Sequence, residues 1–310
     1  MTSSAPVSGT PANAATHHEP QWTAALFILL GASVWGISWY PYRLLASWGL
    51  GSMLASSTTG AVAAVLAAVL LRRHFRTFQW SWVILALALA AGVTNAGFVW
   101  GTVHGTVMRV LLLFYLTPVW TALLARFWLH ERLGWRGGAL LALALSGAVM
   151  MLWSGQAGTP WPGSAAEWAG LIAGLAFAFN NVLSRLAGQR HPTMRPEMRT
   201  VVVFTGCALV GFPAALMLDG VRTVPAAFSQ GNTWLLLAGM ACVLVGGNAM
   251  VQRGLQRLPA NRAALLMLFE IVVAAASSAL LTAERLSPQE MLGGACIILA
   301  GALSGLSRRK

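Results

Sequence analysis

Glu270 is the one acidic residue near the middle of a long apolar run, AALLMLFEIVVAAASSALL (263–281). In hydrocarbon an acidic side chain costs roughly 2.5–3.5 kcal/mol on insertion scales, and groups that bear this cost mark proton, ion or substrate pathways by default. Protonation to the neutral acid reduces the cost. Three chemistries fit such a group: carrying a coupling proton, holding a substrate ammonium group, or donating a structural hydrogen bond to a neighbouring helix.

Other residues could build a cavity around it. Trp35, Ser38, Trp39 and Tyr42 recur at i, i+3, i+4 and i+7, one face of a helix. Aromatic and hydroxyl groups in that array could stack an amphipathic metabolite and orient its polar end. The competing reading for the rings is a belt at the membrane surface. Asn180 and Asn181 are adjacent amides, and at least one must turn away from lipid. Asn95, Asn248, Tyr115 and Thr117 either line the same cavity or hydrogen-bond helix to helix, bonds that average about 0.6 kcal/mol in one membrane protein. Arg109 and Arg262 stand at ends of apolar runs, where they either snorkel to headgroups or meet an anionic substrate group.

Several chemistries have no residues to carry them. There is no GxxxxGK[ST], and the only lysine is Lys310, so energisation by ATP within this chain is unsupported. His130-Glu131 does not continue into HExxH, and GxSxG is absent. The six histidines form no metal-ligand spacing. Cys207, Cys242 and Cys296 fall in three separate apolar runs and behave as small apolar residues. No cofactor and no metal are expected. An enzyme acting on lipid would need paired catalytic groups near a membrane surface, where only scattered arginines and the isolated Glu131 and Glu284 occur.

The elements that must position these residues follow from composition. Only 9% of the 310 residues are charged and 57% are hydrophobic, with mean hydropathy +0.68. A soluble protein carries about 25% charged residues. About 20 apolar residues cross a bilayer as a helix. The spacing predicts an all-α integral membrane protein with ten transmembrane helices, near 22–42, 50–71, 80–101, 105–127, 136–154, 166–187, 199–218, 232–252, 262–282 and 290–307. Pro41 should loosen the first near its end. Residues 1–21 are rich in Ser, Thr, Ala and Pro and lack the basic start of a secretory signal, so they are expected to form a disordered cytoplasmic tail.

With the N-terminus in the cytoplasm and ten alternating helices, sixteen of the twenty basic residues fall on the cytoplasmic side. Only Arg43, Arg109, Arg222 and Arg285 fall opposite. That bias places both termini in the cytoplasm. It also accounts for the net charge of +12 without a nucleic-acid partner.

The halves resemble each other. A shift of 153 lays residues 111–133 over 264–286, matching Arg109 with Arg262, Thr117 with Glu270, and Glu131-Arg132-Leu133 with Glu284-Arg285-Leu286. The same shift matches Asn95 with Asn248. A shift of 142 lays 35–46 over 177–188, so Phe177, Asn180, Asn181 and Ser184 become the partners of Trp35, Ser38, Trp39 and Tyr42. Two repeats, 22–154 and 155–310, then hold five helices each. An odd number inverts the second copy, an arrangement that recurs in secondary transporters with the substrate near midplane.

The stretch YLTPVWTALLARFWLHERL (115–133), its second copy ending TAERL, and the Trp-Gly of the first helix resemble the drug/metabolite transporter superfamily, EamA type. The resemblance covers the chain from about residue 22. It implies a secondary transporter exporting small metabolites, amino acids foremost, from the bacterial inner membrane by alternating access, with nucleotide sugars or cationic drugs as the other substrate classes. Small-molecule substrate and lipid bilayer are then the partners; the oligomeric state is left open, a monomer being compatible with the sequence. Superfamily members commonly carry Glu-Pro in the ninth helix; here Ile271 follows Glu270, so the proline that would kink the second repeat there is missing, whereas Pro118 follows Thr117 in the first.

Overall fold

The computed structural model describes residues 21–105, 107–152, 161–218, 226–281 and 287–306. The expectations for the tail at 1–20, for Arg222, for Glu284, Arg285 and Leu286, and for the basic end at 308–310 lie outside the described residues. Among the described residues the chain is helical, without strands. Its helices are α1 (Gln21–Ile37), α2 (Trp39–Ser47), α3 (Ser52–Leu70), α4 (Trp82–His104), α5 (Val107–Phe114), α6 (Thr117–Trp128), α7 (Trp135–Leu152), α8 (Ala165–Arg190), α9 (Met198–Leu218), α10 (Gly231–Arg257), α11 (Ala260–Met267), α12 (Phe269–Leu281) and α13 (Pro288–Leu306).

Among the described residues eight stretches are long and apolar enough to cross a membrane: Gln21–Ser47, Ser52–Leu70, Trp82–His104, Arg109–Trp128, Ala165–Arg190, Met198–Met217, Gly231–Arg257 and Ala260–Leu281. Trp135–Met151 is a shorter apolar helix. Their outward faces stay apolar. Val65, Leu85, Leu89, Leu209, Leu235 and Val243 are all exposed, a coat suited to acyl chains rather than water. Trp80, Trp135 and Trp161, near helix ends, are also exposed, where indole rings meet headgroups.

Contacts between the halves hold the bundle together. Helix α4 packs on α8 and α9, α3 on α9, and α1 on α10 and α12. Small residues permit this. A Cβ on Gly206 of α9 would lie 1.9 Å from the Ala88 carbonyl oxygen of α4, so only glycine lets these helices meet.

Three runs expected as single helices are broken, and the reasons differ. Pro41 has no N–H for the carbonyl of Ile37. The chain breaks there, at Ser38, whose N–H turns to the Trp35 carbonyl at 3.1 Å. Pro118 likewise leaves the Phe114 carbonyl without its helical partner, and the chain breaks at Tyr115–Leu116. The third break, at Leu268, occurs without a proline and corrects the expectation drawn from Ile271. There the Leu268 amide reaches back to Leu265 at 3.3 Å and the Ile271 amide to Leu268 at 3.1 Å, a 3₁₀-type tightening of the backbone. Residues 115 and 268 are equivalent under the shift of 153.

Candidate functional site

The breaks in α5–α6 and α11–α12 face each other and bring together four of the expected residues. Tyr115, Thr117, Asn181 and Glu270 line one small cavity with Pro118, Phe177, Ala264, Met267 and Leu268. Its volume is about 10 Å³, room for about one water. The Tyr115 side chain lies beside the Glu270 carboxyl in this lining. Thr117 fixes the first break: its hydroxyl donates to the Phe114 carbonyl at 2.6 Å, replacing the bond that Pro118 cannot make, and to the Gly174 carbonyl of α8 at 2.9 Å. Gly174 itself must be a glycine, because a Cβ would stand 2.5 Å from the Phe114 carbonyl oxygen.

Asn181 is the unusual member. It is fully buried, and neither its amide oxygen nor its amide nitrogen has a partner among the described residues. A buried polar group without a partner costs about 1–3 kcal/mol. Asn180 and Ser184, on the same stretch of α8, are also buried with an unpartnered oxygen, as is Asn248 on α10.

The other expected residues sit elsewhere. Trp35 packs against Ala63, Phe204 and Leu244 of α3, α9 and α10, while its repeat partner Phe177 lines the cavity. Ser38 bonds its own helix at the Trp35 carbonyl, 2.7 Å away. Trp39 donates Nε1–H to Ser277 of α12 at 3.0 Å. Tyr42 packs against the α3–α9–α10 cluster, its hydroxyl at Ser56 and Thr59. Asn95 accepts from Ser56 at 2.9 Å, an interhelical bond.

Sequence reasoning missed an aromatic wall and two ion pairs. Phe98 meets Phe114 edge to face with centroids 4.8 Å apart, and Phe114 stacks on Phe177 with centroids 5.6 Å apart. Only the repeat alignment of Phe177 with Trp35 hinted at it. Arg109 does not snorkel: Glu167 grips it with both oxygens, at 2.9 and 3.0 Å. Glu131 is not isolated either. It pairs with Arg185 and accepts the Ala260 N–H at 2.8 Å, tying α8 to the loop after α6 and to the start of α11.

A vestibule of about 560 Å³ adjoins the inner cavity, with Pro118 forming part of the wall of both. It is lined by Glu131, Arg132, Arg185 and Arg262 among others. Space of that size admits a small solute, whereas the inner cavity must widen to receive one.

Comparison with known proteins agrees with this architecture. The EamA-like transporter family matches residues 22–153 and again 164–306. An uncharacterized protein of Pseudomonas aeruginosa is 33% identical over 206 residues, which span 64% of this chain and 66% of that protein's length, just under two thirds. A crystal structure shares the fold at TM-score 0.70 with 16% identity, covering 93% of this chain and 99% of its own. Two matches to one family cover most of the sequence in a helical bundle with an apolar coat. The chain belongs to the EamA-like transporter family of the drug/metabolite transporter superfamily, multi-pass membrane proteins that move small solutes across the lipid bilayer.

Proposed function

We propose that this protein is a secondary transporter that exports amino acids or similar zwitterionic metabolites across the bacterial inner membrane. In this reading ten helices form two inverted repeats, 22–154 and 155–310, behind a cytoplasmic tail at 1–21, and both termini are cytoplasmic. The repeats rock about the cavity between their broken helices, opening it to one side at a time. Glu270 carries the coupling proton, Tyr115 holds its carboxyl in place, and Asn181 offers a donor and an acceptor to the polar end of the substrate. The aromatic wall of Phe98, Phe114 and Phe177 takes the apolar part.

The observation that carries this reading is Asn181, fully buried with both amide atoms unpartnered beside the one midspan carboxylate. Packing alone gives no return for that cost, whereas a substrate's carboxylate and ammonium groups would satisfy both atoms. Counterflow in proteoliposomes against an amino-acid panel tests it. At least one labelled amino acid should exchange faster than in protein-free vesicles; exchange of none, with the protein inserted and folded, overturns the assignment.

A further inference from the structure

Two cations of the vestibule, Arg132 and Arg262, have no carboxylate partner among the described residues, and Arg262 is the more buried of the two. Arg185 is closed off: Glu131 neutralises it, and its Nη1 donates to the carbonyls of Leu255 at 3.2 Å, Gln256 at 3.5 Å and Leu258. Glu131 is spent in turn, its second oxygen taken by the Ala260 amide. Arg132 and His130 also line the vestibule. Arg262 differs from Arg185. Among the described residues its Nη1 reaches only the neutral Gln21 side chain, at 3.3 Å, and its Nε is shut from solvent with no partner. Asn261, beside it in the lining, has a buried amide oxygen that is also without a partner.

The repeat shows what Arg262 lacks. Its counterpart Arg109 is held bidentately by Glu167, whereas Arg262 contacts no carboxylate among the described residues. A guanidinium fork with a free edge is matched in geometry and charge by a carboxylate, and the amide oxygen of Asn261 by an ammonium group. Together they complement the two ends of an α-amino acid. Cationic solutes lacking an acid group meet the opposite situation, because Arg132 and Arg262 repel them and Glu131 is already paired.

We propose that Arg262, with Asn261, is the entry subsite that receives the carboxylate of a zwitterionic substrate. The substrate then passes along α11 to Glu270, eight residues further on and about 12 Å deeper by helical rise. The proposal rests on the transport reading above and adds to it a specificity-determining residue and a selection rule, that a carboxylate is required and a cation alone is refused.

The test compares counterflow of each neutral L-amino acid with that of its primary amide, which keeps the ammonium group and loses the carboxylate. Wild type should prefer the acid. Arg262→Gln should raise KM for the acid roughly tenfold or more while leaving maximal rate close to wild type and amide exchange equal to or above it, so that the acid preference collapses. Arg262→Lys should regain part of the preference through charge alone. An unchanged acid-to-amide ratio in Arg262→Gln overturns the subsite and leaves the transport reading standing. Should Arg262→Gln exchange neither compound, Arg262→Lys decides: retained acid preference supports the subsite, and equal use of acid and amide refutes it. No exchange of any amino acid by wild type overturns both.

Discussion

At Asn181 the interests of folding and of function oppose each other. A fully buried amide with both atoms unpartnered lowers stability, so Asn181→Ala should stabilise the detergent-purified protein by about 1–3 kcal/mol of relieved desolvation, seen as a higher melting temperature. The same variant should raise KM for substrate. A drop in stability would instead make Asn181 a packing residue whose partners are other helices. Trp35→Ala should do the reverse, losing about 2–3 kcal/mol of packing against α3, α9 and α10 with little direct effect on binding. Sequence alone could name Glu270, because a midspan carboxylate is expensive wherever it points. It could name Asn181 for a similar reason. It could not separate Phe177 from Trp35, since a helical stripe of aromatics looks the same whether it faces a cavity or a neighbouring helix. Arg109 and Glu167 were unreadable as a pair because nothing local links residues 58 apart.

Among the elements, proline explains two of the three helix breaks, and those two were legible as chemistry. Pro41 and Pro118 each remove one N–H, and the chain gives way within three residues. The break at Leu268 has no such signal. It is held by what packs on it, with Leu265, Leu268 and Ile271 in one buried cluster with Phe114 and Tyr115 from the opposite break. Tertiary packing, not local sequence, keeps that turn open. The first break depends in turn on Gly174, whose carbonyl takes the Thr117 hydroxyl and whose missing side chain leaves room for Phe114. Gly174→Ala forces backbone against backbone and should cost about 1–3 kcal/mol. Gly246→Ala, on α10 with nothing within 4 Å of its would-be Cβ, should be neutral or stabilising by about 0.5–1 kcal/mol. Thermal unfolding of the two variants side by side checks the claim, and equal behaviour would mean that α8 does not set the position of the α5–α6 break.

At the scale of the whole molecule, the distribution of arginine is the clearest signal in the sequence. Arg185, Glu131, Arg262 and the turn at Leu258–Ala260 gather at one end of the bundle, while Arg109, Glu167 and Gly163 meet at the other. Reporter tags on both termini should therefore signal cytoplasm and a tag at Gly158 the opposite side; an external signal from either terminus would break the ten-helix, inverted-repeat arrangement. What charge and hydropathy leave undetermined is which helix faces meet, because apolar residues face both lipid and core in such a bundle. Proton coupling in this proposal falls to Glu270, where the two halves meet. It is tested most directly by amino-acid counterflow in proteoliposomes with and without an imposed pH gradient, in wild type and Glu270→Gln. Glutamine preserves size and can donate the hydrogen bond of a protonated acid, but it cannot release a proton. The gradient should stimulate wild type and have no effect on Glu270→Gln, which retains substrate binding but loses most transport. Near-normal transport by Glu270→Gln with the same response to pH as wild type would contradict it and leave Glu270 as a residue of helix packing.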